Sequence, residues 1–149
     1  MSPTHYACAI IWRESPVNKE IEFLVINSRS KDPRTGRETP WQVKFPGGMN
    51  RVPDEPVSVT IQREVLEETH LAFLVSEGIW RSEVNTGHTK YGFLVNFADC
   101  RGDLRKDTLI DNGDEMSPPY WVPATTLGRE LYHSHQAALL VACRELGIL

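Results

Sequence analysis

Arg63-Glu64-Val65-Leu66-Glu67-Glu68 lies at the end of a stretch whose periodicity predicts a helix over residues 56–69. Val57, Ile61, Val65 and Leu66 recur at helical spacing, and Pro56 suits a first-turn position, where a missing N–H is no loss. At about 100° per residue, Glu64, Glu67 and Glu68 fall within an arc of about 100°, beside the arc of Ile61, Val65 and Thr69. Three carboxylates therefore share one face. Like charges at i,i+3 and i,i+4 each cost about 0.2–0.5 kcal/mol, and no lysine four residues on relieves them. Glu67 and Glu68 also stand near the helix C-terminus, where the dipole disfavours anions by about 0.3–1 kcal/mol. A solvated acidic face would account for three glutamates standing alone. A divalent cation such as Mg²⁺ reverses both penalties, because it takes hard oxygen ligands and binds through a few carboxylates together with substrate phosphates.

Just upstream, Pro46-Gly47-Gly48 supplies glycines that let backbone groups approach a metal or phosphate closely, although a lone Gly-Gly also suits an ordinary tight turn. Trp41 to Phe45 leads into this loop, so strand, glycine loop and acidic helix form one unit. Before it, Tyr6-Ala7-Cys8-Ala9-Ile10-Ile11-Trp12 and Ile21-Glu22-Phe23-Leu24-Val25-Ile26 read as two strands. Residues 28–40 are polar, with Arg29, Lys31, Arg34 and Arg37 among them, and read as an exposed loop. Beyond the helix, residues 71–75, 79–84 and 91–97 look like strands, residues 99–119 like a charged flexible loop, and Tyr120-Trp121-Val122 like a last short strand. Ser134 can cap a final helix whose core face is Ala138, Leu139, Val141, Ala142, Cys143 and Leu146, with Gly147 ending it.

The chain has 149 residues, 40% of them hydrophobic, which fits one compact domain able to bury its apolar surface without staples. Cys8, Cys100 and Cys143 are odd in number and show no C-x-x-C pairing, so they read as reduced thiols, with Cys8 and Cys143 in the core. No apolar run reaches the length of a membrane span, and Met1-Ser2-Pro3-Thr4-His5 lacks the marks of a signal peptide, so a cytoplasmic location and no membrane partner are expected. A formal net charge of −4 argues against bulk electrostatic binding of long nucleic acid, while leaving room for a small phosphorylated ligand.

Around the acidic helix the sequence resembles the Nudix family, whose box reads G-x5-E-x7-R-E-U-x-E-E-x-G-U, with U a bulky aliphatic residue. Glu55 is followed by seven residues and then by Arg63-Glu64-Val65-Leu66-Glu67-Glu68-Thr69-His70-Leu71, so every charged position of the box is filled. Two positions depart from the pattern. Six residues separate Gly48 from Glu55 where the family has five, so either Glu55 keeps the family role with a bulge near Val52-Pro53 or Asp54 replaces it; the intact spacing to Arg63 favours Glu55. His70 stands in place of the final glycine, which resembles a helix C-cap, at a cost of about 1 kcal/mol because histidine tolerates positive φ better than most residues.

The resemblance implies an α+β fold, an α/β/α sandwich with a mixed β-sheet, over residues 1–149 with the box at about 47–71. It also implies Mg²⁺ or Mn²⁺ held by Glu64, Glu67, Glu68 and the Gly47 carbonyl, with Glu55 and Arg63 holding the network together. The implied reaction is hydrolysis of a nucleoside diphosphate linked to another group, with Glu64 as general base; Glu115, in a late loop, is the alternative base or further ligand, although a solvated loop acid among Asp103, Asp107, Asp111 and Asp114 is the plainer account of it. For substrate contacts, Arg29 and Lys44 could meet phosphates, as could Arg34, Arg37 and Arg51, although surface charge is the plainer account of most of them. Trp41 and Tyr91 could stack on a base, although an aromatic beside a strand is more often core; His88 is the foremost histidine candidate. His133-x-His135 lacks further ligands and reads as surface at a helix start. Among substrates, the resemblance leaves open nucleoside triphosphates, dinucleoside polyphosphates, an RNA 5′ end and diphosphoinositols, and it allows a homodimer. The competing reading is a catalytically silent Nudix-like module that binds a ligand or RNA. Such modules tend to lose a box glutamate, and none is lost here.

Overall fold

The structure, a computed structural model, describes residues 3–75, 78–111 and 113–148. Its centre is β1 (Thr4–Glu14), whose run Ala7–Ile11 is fully buried. A strand without polar alternation must be covered on both faces. Cys8 and Ile10 point to one side and Ala7, Ala9 and Ile11 to the other, and these two sets belong to separate hydrophobic clusters.

β1 pairs antiparallel with β2 (Ile21–Ser30) and parallel with β6 (His88–Asn96), which makes the sheet mixed. The order continues outward through β5 (Gly78–Asn85) at one edge and through β8 (Asp114–Met116) and β7 (Leu109–Asp111) at the other. Three short strands attach beside this path: β3 (Gln42–Lys44) and β9 (Tyr120–Pro123) on β2, and β4 (Gly47–Met49) on β1. Helix α1 (Val57–Thr69) covers one face through Ile61 and Val65. Helices α2 (Ala124–Glu130) and α3 (Gln136–Glu145) cover the other through Leu127, Ala138, Leu139, Ala142 and Cys143. The result is the expected α/β/α sandwich, with Cys8 and Cys143 in its core.

Several local expectations need correction. Residues 71–75 are not a strand: Leu71 and Phe73 are buried and Leu74 is exposed, which mimics alternation, but among the described residues the only strand-type pairing there is the Ala72–Arg101 bridge. The segment 99–119, apart from Asn112, is not an open loop, since it forms β7 and β8 and buries Arg105. Residues 28–30 continue β2 because β3 and β8 pair with it there. Gly47 and Gly48 lie in β4 rather than in a free turn, opposite Cys8 and Ala7. Ser134 does not cap α3; it sits in a 3-10 turn, and His135 occupies the N-cap with its side chain turned into the core. Leu66 is half exposed, so the buried stripe of α1 is Thr60, Ile61, Val65, Glu68 and Thr69. No helix among the described residues is long and apolar enough to cross a membrane.

Candidate active site

The acidic face of α1 opens onto a cavity of about 750 Å³ whose lining includes Glu64, Glu67 and Glu68, together with Gly47 and Gly48 of β4. Both glycines are required by close approach. A Cβ on Gly47 would lie 2.1 Å from the Ala7 carbonyl oxygen, and one on Gly48 would lie 2.4 Å from the Glu64 Cδ. β4 is thereby pressed between β1 and α1, and the Gly47 amide donates to Glu68 Oε1 at 2.9 Å. At the other end α1 stops at His70, whose φ of 69° is left-handed and whose amide donates to the Leu66 carbonyl. His70 thus takes the C-cap position expected of the missing glycine.

Arg63 ties this face together. Its guanidinium donates to Glu55 Oε1 at 2.8 Å, to Glu64 Oε1 at 2.8 Å and to the Met49 carbonyl at 3.1 Å. Among the described contacts it is Glu55, not Asp54, that meets Arg63, and the extra residue is absorbed in a turn where the Glu55 amide donates to the Val52 carbonyl. The Thr60 hydroxyl donates to Glu55. A carboxylate only accepts, so that single proton is spent there, and Thr60 Oγ1 must accept from His5 Nε2 at 2.6 Å. Arg63 and then Thr60 hold Glu55 down to about 2, while the Glu55 hydrogen bond raises Arg63. A continuous chain therefore runs from buried His5 through Thr60, Glu55 and Arg63 to Glu64.

The glutamates experience different fields. Burial pushes Glu68 up to about 8 despite the Gly47 amide and nearby Arg105, and burial also raises Glu64 against the pull of Arg63. Glu67 is half exposed and pairs with Arg51 at 3.0 Å. Among the described residues no three carboxylate, imidazole or thiol groups are already drawn into a metal cage. The donor set nevertheless fits a hard divalent cation: three carboxylates line one wall, and Glu68 is anionic there only at a desolvation cost that a cation would offset.

Of the proposed substrate contacts, Arg29 and Lys44 line the cavity. Arg29 is engaged by Glu115 at 2.9 Å and Glu38 at 2.8 Å, and its guanidinium lies over the Trp41 ring at 4.5 Å. Trp41 and Glu115 do not themselves line the cavity: Trp41 packs on the lining residue Arg29, and Glu115 is committed to it. Lys44 rests over Tyr132 and forms no ion pair among the described residues. His88 and Tyr91 are not brought to this cavity. His88 bonds the Thr4 hydroxyl, and Tyr91 lines a second hollow with Thr4, His5 and Pro53.

Sequence reasoning missed several residues. Asp111 and Asp114 line the cavity from the β7–β8 hairpin. Arg105 is buried and donates to the carbonyls of Glu68, Asp107 and Ser117, closing the end of α1 that carries Glu68. His135 is 3% exposed, not surface, and stands behind the cavity wall against Phe45 and Tyr6.

An α/β/α sandwich with a mixed sheet, a glycine strand and an arginine-ordered carboxylate face is the architecture of a Nudix-fold protein. The sequence model of the NUDIX domain matches residues 4–142, and the chain belongs to that family. Among solved structures, it is similar to a MutT NUDIX hydrolase from Burkholderia pseudomallei, at 20% identity and TM-score 0.66, covering 94% of this chain and 98% of that one. It is also similar to the NUDIX domain of Shewanella oneidensis NrtR complexed with ADP ribose, at 19% identity and TM-score 0.61, covering 98% and 90%. A third similar structure is an ADP compounds hydrolase, at 13% identity and TM-score 0.66, covering 98% and 76%. At these identities the likeness is one of fold. Among curated protein sequences no match is found.

Proposed function

We propose that the chain is a Mg²⁺-dependent pyrophosphohydrolase acting on a nucleoside diphosphate linked to a further group. The observation that carries this reading is the pairing, in one cavity, of three carboxylates on α1 with Lys44, a cation left without an ion pair among the described residues. An anionic substrate needs both a metal face and a free cation, and a silent binding module needs only the second. Glu67, Glu68 and the Gly47 carbonyl would hold the cation, with Glu64 as a further ligand or base. When bound, it would screen phosphate charge and lower the pKa of a water.

The chain's own groups supply the rest. Glu64 is the first choice to take the water's proton, because burial raises its affinity for one while Arg63 fixes the carboxylate. Glu115 is the weaker candidate, since its carboxylate is spent on Arg29. Lys44 would meet the phosphates, and the Arg29–Trp41 stack would border the nucleoside. That an ADP-ribose complex and an ADP compounds hydrolase share the fold supports a nucleotide-like substrate.

The test is a Mg²⁺ screen over nucleoside triphosphates, dinucleoside polyphosphates, nucleotide sugars, ADP-ribose and triphosphorylated RNA, with Glu67→Gln and Glu68→Gln alongside. Turnover of one class by the wild type, with both variants reduced at least about 10-fold, is expected. Unchanged phosphate release in both would remove the assigned metal face. Binding without turnover would favour the silent module.

A further inference from the structure

We infer that Tyr6 is a substrate-binding residue whose hydroxyl proton is aimed by His135 at a phosphoryl oxygen in the cavity. This rests on the reading of that cavity as a diphosphate site. The Phe45 amide donates to His135 Nδ1 at 3.1 Å, so Nδ1 carries a lone pair and a neutral imidazole keeps its proton on Nε2. Nε2 lies 3.1 Å from the Tyr6 hydroxyl oxygen, which must therefore accept. A phenol has one proton, and this acceptance leaves it free for another partner. No second hydrogen bond of that hydroxyl is formed among the described residues, and Tyr6 lines the cavity beside Gly47, Lys44, Glu64 and Glu68.

The imidazole is well held. His135 stacks on Phe45 with ring centroids 5.7 Å apart and meets Tyr132 edge-on, while the Tyr132 amide is bound to the Val43 carbonyl of β3. Burial first, and then the cations Lys44 and Lys90, lower His135 to about 3, keeping the ring neutral. Burial raises Tyr6, so its proton stays on oxygen. A neutral, immobile donor next to Lys44 suits an anionic oxygen, whereas a second donor has nothing to offer a magnesium ion. The sequence hides the arrangement because residues 6, 45 and 135 come from three distant segments.

The experiment joins two readouts on the full chain. Imidazole nitrogen chemical shifts of ¹⁵N-labelled wild-type protein report the tautomer without any ligand, and Mg²⁺-pyrophosphate titration compares wild type with Tyr6→Phe, whose ring keeps the packing. The expected result is a His135 proton on Nε2, a Tyr6→Phe variant that folds with its melting midpoint lowered by about 2–6 °C because the buried Nε2 proton loses its acceptor, and pyrophosphate affinity weakened about 3- to 10-fold. A proton on Nδ1 would overturn the inference whatever the protein does. Equal pyrophosphate affinity in the two proteins would overturn it while leaving the hydrolase reading standing if nucleotides are turned over. A wild type that neither binds pyrophosphate nor hydrolyses any nucleotide would remove both.

Discussion

Adding one methyl group at Gly47 or at Gly48 should have opposite consequences, one for folding and the other for chemistry. Neither glycine needs positive φ, so alanine is conformationally allowed at both, and only the surroundings differ. A Cβ at residue 47 would meet backbone on β1: the Ala7 carbonyl oxygen at 2.1 Å and the Cys8 Cα at 2.7 Å. Overpacking a core costs about 1–3 kcal/mol when side chains can give. Backbone at the middle of the central strand cannot, so Gly47→Ala should lose about 3 kcal/mol or more. The atoms nearest a Cβ at residue 48 belong to the flexible end of Glu64, with Cδ at 2.4 Å and Oε2 at 2.6 Å. Ordinary contact begins near 3.5 Å, so the carboxylate must withdraw by about 1 Å. Its 2.8 Å bond from Arg63 would be stretched or lost, but Arg63 keeps Glu55 and Met49, so the net cost should be near 1 kcal/mol. Displacing a reacting group by about 1 Å can cost about 100-fold in rate. Urea unfolding at 25 °C and Mg²⁺-dependent turnover, run on both variants, should therefore show Gly47→Ala strongly destabilised and Gly48→Ala folded but at least about 10-fold slower. Equal stability loss in the two variants, or wild-type turnover in Gly48→Ala, would refute the geometry.

Arg105→Met should lose about 2–4 kcal/mol in urea unfolding, because it strips a buried donor from the Glu68, Asp107 and Ser117 carbonyls; a loss under about 1 kcal/mol would show that water replaces it. His135 should make stability pH-dependent. Its folded pKa of about 3 lies below the ordinary 6.5, so between those values the unfolded chain binds more protons and stability falls as pH drops, by up to about 1.4 kcal/mol per unit. Urea midpoints followed between about pH 4 and 6.5 should fall more steeply in wild type than in His135→Gln. His70→Gly should raise the thermal midpoint by about 2–4 °C, since glycine removes about 1 kcal/mol of left-handed strain at φ 69°; a fall would mean that the imidazole contributes at the cap.

What could be read from the sequence were the features encoded locally. The acidic arc of α1, the left-handed cap at His70 and the strand character of β1 depend on neighbours within a turn or a strand. The β7–β8 hairpin was legible in principle, since Asp111-Asn112-Gly113-Asp114 carries the Asn-Gly signal of a two-residue turn and Asp111 pairs with Asp114. Its three-residue strands are so charged that the region reads as loop. His5, Thr60, Arg105 and His135 carry no such signal. Each depends on a long-range partner, 37 to 129 residues away, as with Arg105 at Glu68 and His135 at Tyr6. For Tyr91 the strand is legible but not its place in the sheet: β6 lies between β5 and β1, and Tyr91 lines the second hollow rather than the carboxylate cavity.

The extra residue between Gly48 and Glu55 becomes understandable once the source of each restraint on Glu55 is separated. The loop contributes little: the Arg51 amide reaches Glu55 Oε1 only at 3.3 Å. The firm restraints come from α1, through the Thr60 hydroxyl and the Arg63 Nη2 at 2.8 Å, and from β1 through His5 behind Thr60. The offset of Thr60 and Arg63 along α1 is therefore what sets the carboxylate's position, while the segment from Asn50 to Asp54 has only to span the gap. Loop closure entropy changes little with one added residue, whereas a one-residue slip on the helix would rotate Arg63 by about 100° away from both Glu55 and Glu64. Asp54, at the family distance from Gly48, forms no hydrogen bond or ion pair with Arg63 among the described residues, because the site is measured from the helix, not from the glycines.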